Sequence, residues 1–213
     1  MADSGGRYRA EGSQAEFEPA SRGRVLRNQL GIRSAREMAR RESKALVFAT
    51  QRLIDETRVD QRFTAGDVQH MHRLWLEEIY AWAGEYRQVN MAKDGFMFAA
   101  ADQVPRLMHE LESGPLTEFT PCRFEGADEQ ARALAVVHAE LILIHPFREG
   151  NGRCTRLLAT LMGLQAGLPA LDFGGIRGKT KQQYIEAVHA ALGRDYDPMT
   201  AIFRGVIARS LRT

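Results

Sequence analysis

Residues 127–147, ADEQARALAVVHAELILIHPF, decide the fold class. From Leu134 onward the stretch is apolar on nearly every face of a helical projection, and a helix of that kind must be surrounded by protein. It predicts a buried helix over roughly 128–144 at the centre of an all-α domain, ended at His145-Pro146 because proline cannot continue the helix. On its C-terminal side, Asn151 to Ala166 reads as a second helix with Leu157, Leu158, Leu161, Met162 and Leu164 inward, stopped by Gly167 and Pro169. Further helices are expected from about Lys179 to Leu192 and from Pro198 to the end.

Upstream, Ser34 can cap a helical run in which Met38, Ala45, Leu46, Ala49 and Leu53 recur near helical spacing, as one long helix or two. Thr64 is a second cap candidate, ahead of VQHMHRLWLEEIYAWAG, whose stripe of Val68, Met71, Leu74, Trp75, Ile79 and Trp82 reads as core packing, with Gly84 as the stop. Next comes YRQVNMAKDGFMFAA (86–100), where Lys93-Asp94-Gly95 between short apolar runs predicts a β-hairpin, the one convincing strand signal. A helical segment follows from about Asp102 to Leu111, with an interruption near Gly114-Pro115.

The chain has 213 residues, 44% hydrophobic and 26% charged, a composition that excludes disordered and collagen-like classes. Lys and Arg number 29 against 27 Asp and Glu, so a formal charge of +2 gives no broad field for gripping nucleic acid, and phosphate recognition has to be local. Cys122 and Cys154 make neither a disulfide framework nor a CxxC site. No apolar run approaches the roughly 18 residues of a membrane span, so a cytoplasmic protein without membrane contact is expected. Residues 1–22, polar and glycine-rich, are expected to form a flexible tail, leaving 23–213 as the folded domain. His70 and His72, the only loose metal-like histidine pair, read as ordinary surface-helix residues.

Two segments compete for phosphate. GGIRGKT (174–180) is one residue short of a P-loop, with Phe173 where the first glycine belongs and no strand before it. HPFREGNGRCTR (145–156) is the stronger. A buried helix ends in His145, and Glu149-Gly150-Asn151-Gly152 makes a tight turn into the next helix, whose free first-turn amides form an anion hole. Arg153 and Arg156, three residues apart, can reach the same anion from one helix face. Glu149 is the one carboxylate beside this positive cluster and suits Mg²⁺, while His145 can accept a proton near neutral pH. Base, metal ligand, anion hole and two arginines together describe nucleotidyl or phosphoryl transfer to a hydroxyl.

HPFREGNGRCTR resembles the signature of the Fic (filamentation) family, His-Pro-Phe-x-[Asp/Glu]-Gly-Asn-Gly-Arg-x-x-Arg, at every fixed position. The flanking YAWAGEYR, VNMAKDGFMFA and QYIEAVHAALGRDYDPM are similar to the family's pre-flap, flap and C-terminal helix regions, so the resemblance covers about Val25 to Arg209. It implies an all-α core with a β-hairpin flap over the site, and transfer of AMP from Mg·ATP to a Ser, Thr or Tyr hydroxyl of a target protein with release of pyrophosphate. In that reading His145 is the general base, Phe147 its anchor and Glu149 the Mg²⁺ ligand. Gly150, Asn151 and Gly152 hold the α- and β-phosphates, Arg153 meets the β-phosphate and Arg156 the γ-phosphate. Lys93, Asp94 and Gly95 lie in the flap, which takes the target backbone by strand addition and helps close the nucleotide site. Tyr184 is expected near adenine.

A branch of the family that phosphorylates its target carries Lys at the position of Gly152, so this sequence favours AMP transfer. Transfer of another phosphate-containing group, or a non-catalytic nucleotide- or partner-binding module, are the alternatives. Cys154, at a variable position, reads as a packing residue. No Ser or Thr has Glu four residues later, so the family's internal inhibitory motif is missing; a separate antitoxin-like protein whose Glu pairs with Arg156 is expected, with Glu37 and Glu42 as unconventional internal candidates.

Overall fold

A computed structural model describes residues 9–10 and 16–212. Ser34 caps the first helix, α1 (Ala35–Glu56), by accepting from the Glu37 amide, and the run is one helix of 22 residues. Thr64 and Asp67 close a reciprocal capping box at the start of α2 (Ala65–Leu76). This helix stops well short of Gly84. Residues 77–83 turn back instead, and Gly84 is bound to α2 from the side: its amide donates to His72 Nδ1 at 2.8 Å and its carbonyl accepts from Gln69 at 3.0 Å. The turn also seats Ile79 and Tyr80 in a core shared with Val25, Met38, Ala49 and Trp75, so burial outweighs the helical periodicity that runs on through the sequence.

The hairpin forms as expected. β2 (Met91–Lys93) pairs antiparallel with β3 (Phe96–Met97), and Asp94 and Gly95 both take positive φ, 50° and 83°, as a tight two-residue turn requires. A third strand, β1 (Arg9–Ala10), lies on the other edge of β2, with Arg9 opposite Ala92 and Ala10 opposite Met91. Part of the expected tail is therefore engaged: Phe17 bridges to Leu26 and Ser21 is buried, because residues 16–28 fold back on themselves through paired backbone groups. Residues 1–8 and 11–15 of that segment lie outside the described residues.

Helix α3 (Val104–Leu111) runs on through a π-helical turn at 112–116 into the single turn α4 (Thr117–Phe119). Pro115, expected to interrupt the chain, sits in that wide turn, where Thr117 Oγ1 donates to the Glu112 carbonyl at 2.7 Å. The central helix α5 (Ala127–Ile144) is buried on nearly every face and is enclosed by α3, α6 (Asn151–Gln165), α7 (Lys179–Ala190) and α8 (Asp197–Ser210). Leu134, Val137, Leu141, Phe147, Leu158, Leu161 and Phe203 form the main core around it. The architecture is all-α with a small antiparallel flap. The α5–α6 connection is the point on which the site is built.

Candidate active site

Helix α5 ends by turning left-handed at His145, φ 53° and ψ 58°, a costly conformation for a residue with a Cβ. That twist is held from outside by Arg87, which is almost wholly buried and donates to four carbonyls. Its Nε reaches His145 at 2.7 Å, Nη1 reaches Val89 at 2.7 Å, and Nη2 reaches Ile144 at 3.3 Å and, more closely, Ala99. One side chain thus ties the end of α5 to both bases of the flap. Sequence reasoning missed it, because a basic residue between Tyr86 and Gln88 carries no local signal of burial.

His145 is buried. Its Nδ1 lies 3.1 Å from the Ile142 carbonyl, which can only accept, so the ring proton sits on Nδ1 and Nε2 carries the lone pair. Burial pushes the imidazole down to about 3, so the ring is neutral at pH 7, the form that accepts a proton. Phe98 of the flap stacks on it at 3.7 Å between centroids.

The following loop is shaped by Asn151, which the family resemblance assigns to phosphate. Asn151 is buried and both ends of its amide are taken by Phe147: Oδ1 accepts from the amide at 2.8 Å and Nδ2 donates to the carbonyl at 2.7 Å. Its side chain therefore clamps the loop and does not itself reach into the site. Gly150 has φ 86° and packs so tightly on Trp75 that an added Cβ would come within 2.6 Å of the indole, whereas Gly152 faces open space. His72, expected at the surface, is fully buried; it accepts from Gly84 at Nδ1, and its Nε2 donates to the Glu149 carbonyl at 3.0 Å. Both ring nitrogens are thereby used, which excludes it as a metal ligand in this fold.

The cavity above the loop holds about 450 Å³. His145, Glu149, Gly150, Gly152, Arg153, Arg156, Lys93, Asp94 and Tyr184 all line it, so nine of the positions singled out from sequence converge; Asn151 and Gly95 are not among the lining residues. Glu149 Oε1 accepts from the Gly150 amide at 3.0 Å and from Arg153 at 3.3 Å. Arg156 is exposed, its guanidinium 5.9 Å from the Phe173 ring centre. The opposite wall is apolar and aromatic: Phe96 of the flap stacks on His189 of α7 at 4.8 Å, beside Ile142, Ile185 and Val188. Tyr184 is oriented by the buried His138, whose Nε2 lies 2.8 Å from the phenol oxygen. The cavity has a cationic end at the start of α6 and an apolar end under the flap, the two halves that a nucleotide needs.

The Fic/DOC family model matches residues 62–162, which span α2, the flap and the α5–α6 loop. A probable protein adenylyltransferase Fic of Salmonella typhimurium is 30% identical over 196 residues, covering 89% of this chain and 90% of its own length. The protein adenylyltransferase VbhT of Bartonella schoenbuchensis is 29% identical over 91% of this chain, which spans 39% of that longer protein. Among solved structures, the BepC effector of Bartonella tribocorum with bound AMPPNP superimposes with a TM-score of 0.71 at 23% identity, over 90% of this chain and 95% of that one. The chain belongs to the Fic/DOC family.

Proposed function

We propose that this chain is a protein adenylyltransferase that moves AMP from ATP to a side-chain hydroxyl of a target protein. The observation that carries the reading is a buried, neutral His145 with its lone pair on Nε2, lining the same cavity as Glu149, Arg153 and Arg156. In the reaction His145 takes the proton of the target hydroxyl as that oxygen bonds to the α-phosphorus. The bond from the α-phosphorus to the bridging oxygen breaks, and pyrophosphate leaves with the electron pair. The α6 amides and the two arginines meet the charge on the phosphates, with Arg153 at the β- and Arg156 at the γ-phosphate. The Phe96–His189 wall and Tyr184 suit the base. Gly152, at an open position, leaves room for phosphate where a lysine marks the phosphorylating branch.

Mg²⁺ fits the donors present. Among the described residues no three His, Cys, Asp or Glu side chains cluster, so the protein offers one carboxylate, Glu149, and the phosphates and water would supply the rest, as this ion prefers. Glu149 would hold the ion, which would supply charge neutralisation at the phosphates.

We assign 23–213 as the Fic domain, with the preceding segment an appendage that reaches the flap through β1. Because β1 takes one edge of β2, a target strand would add along β3, where Met97 is exposed. Control by a separate antitoxin-like inhibitor is supported by the exposure of Arg156 and by Glu42, the buried internal candidate, engaging Arg153 instead. Glu37 is exposed on α1. A cytoplasmic setting is consistent with two free cysteines, and no helix among the described residues is long and apolar enough to cross a membrane.

The test is incubation of the chain with host-cell protein and ATP labelled at the α- or the γ-phosphate, followed by mass spectrometry for an added AMP. Transfer of the α-label alone, abolished by His145→Ala with ATP binding retained, is expected. Transfer of the γ-label, or full turnover in His145→Ala, would overturn the assignment.

A further inference from the structure

Arg153 is held from behind the cavity wall by residues that neither the motif nor the flap contains. Glu42, in the middle of α1 and 5% exposed, accepts from Arg153 Nη1 through Oε2 at 2.8 Å. Its other oxygen accepts from the Tyr80 hydroxyl at 2.7 Å, and its backbone carbonyl accepts from the Trp75 indole at 2.9 Å. That same indole lies under the Arg153 guanidinium, 4.5 Å from its carbon to the ring centroid. Arg153 is therefore fixed by a carboxylate at one end and by a ring on one face, and Glu42 is itself fixed by Tyr80.

Resting on the transferase reading above, we propose that Glu42 is a positioning residue for the β-phosphate: with Tyr80 it holds the Arg153 guanidinium in place before nucleotide arrives. An inhibitory carboxylate has to stand where a phosphate would stand. Glu42 is not among the residues lining the cavity, while Arg153 and Glu149 are, so it grips Arg153 from behind the cavity wall. A guanidinium has five N–H donors in a rigid fork, so the bonds to Glu42 at Nη1 and to Glu149 at Nη2 still leave donors for phosphate oxygen. An arginine that is already ordered does not lose its rotamer freedom on binding, which is the usual advantage of a preorganised site. The arrangement also explains why α1, far from the motif in sequence, belongs to the catalytic body: residue 42 and residue 153 are 111 positions apart.

The test compares equilibrium binding of ADP and AMP to the whole chain, since only ADP carries the β-phosphate. Glu42→Gln is expected to weaken ADP about tenfold, the scale of one charge-assisted hydrogen bond, and to leave AMP within about twofold. Tyr80→Phe, which removes a single hydrogen bond and keeps the ring, is expected to move ADP affinity in the same direction by about threefold. Glu42→Asp should recover less than Glu42 and more than Glu42→Gln if reach to Arg153 matters. Parallel loss of ADP and AMP affinity, unchanged ADP affinity in Tyr80→Phe, or tighter ADP binding and faster turnover in Glu42→Gln would each overturn the proposal. The readout is binding, so a wild type that prefers ADP to AMP but transfers nothing refutes the transferase reading alone, and the variants still decide the role of Glu42.

Discussion

Gly150 and Gly152 read alike in the motif, but the fold gives them opposite sensitivities. An alanine methyl at Gly150 would stand 2.6 and 2.9 Å from two Trp75 ring carbons, on a backbone with φ 86°. The left-handed backbone costs a non-glycine residue about 1–2 kcal/mol, and pressing a methyl into a packed core costs about 1–3 kcal/mol more. Trp75 cannot easily yield, because it is buried and tied to Glu42 through its indole N–H. Gly150→Ala is therefore expected to destabilise the chain by about 2–5 kcal/mol, lowering the melting temperature by roughly 5–15 °C for a domain of this size. At Gly152 an added Cβ meets nothing within 4 Å, and its φ is ordinary for a helix start. Gly152→Ala should melt within about 2 °C of the wild type, as surface substitutions usually do, while weakening ATP because the methyl projects into the cationic end of the cavity. Thermal and urea unfolding without ligand, alongside ATP titration of both variants, separates the two effects. A Gly150→Ala protein that melts with the wild type, or a Gly152→Ala protein as damaged as Gly150→Ala, would refute the packing argument.

Three other outcomes follow from buried groups. His72, His138 and His145 are pushed by burial from an ordinary 6.5 to about 4, 3 and 3, so the unfolded chain binds more protons below pH 6.5. Stability is complete above that pH and falls as pH drops, by more than about 1 kcal/mol per histidine at pH 5.5 and about 4 kcal/mol for the three, measurable as a falling urea midpoint; a flat midpoint from pH 7 to 5.5 would contradict their burial. Arg87→Ala strands the His145, Ile144, Val89 and Ala99 carbonyls, so a loss of at least about 3 kcal/mol is expected together with faster amide exchange across 89–99; an unchanged flap would remove Arg87 from its role. Burial raises the Cys122 and Cys154 thiols to about 11 and 12, so an aromatic disulfide reagent at pH 8 should label both only in denaturant, and rapid labelling of the native chain would show that Cys154 is not a packing residue.

The part of the site legible in the sequence was the part written in one short segment. His145 to Arg156 hold the histidine, the carboxylate, two glycines and two arginines within one turn and the start of α6, and local rules of helix ends bring them together. The hairpin was legible for the same reason, since Asp94-Gly95 supplies the positive φ that its turn demands. Boundaries set by packing were not: α2 stops at Leu76 although the apolar period continues, because Gly84 is drawn back onto His72 and Gln69.

The sequence by itself determined the helical class, the flap, the family and most of the side chains that line the cavity, because periodicity, turn residues and motif spacing all act over a few residues. Only the tertiary structure decided which of those residues line the cavity and which hold the loop. Asn151 turned inward to clamp Phe147, and Gly150 became a packing site against Trp75. Arg87, His72 and Glu42 entered as the supports of His145, Glu149 and Arg153. Each support is a buried polar group whose partner lies far along the chain. Such a group gains its value from being desolvated and paired at once, a condition that exists only after the chain has folded and that leaves no local pattern in the sequence.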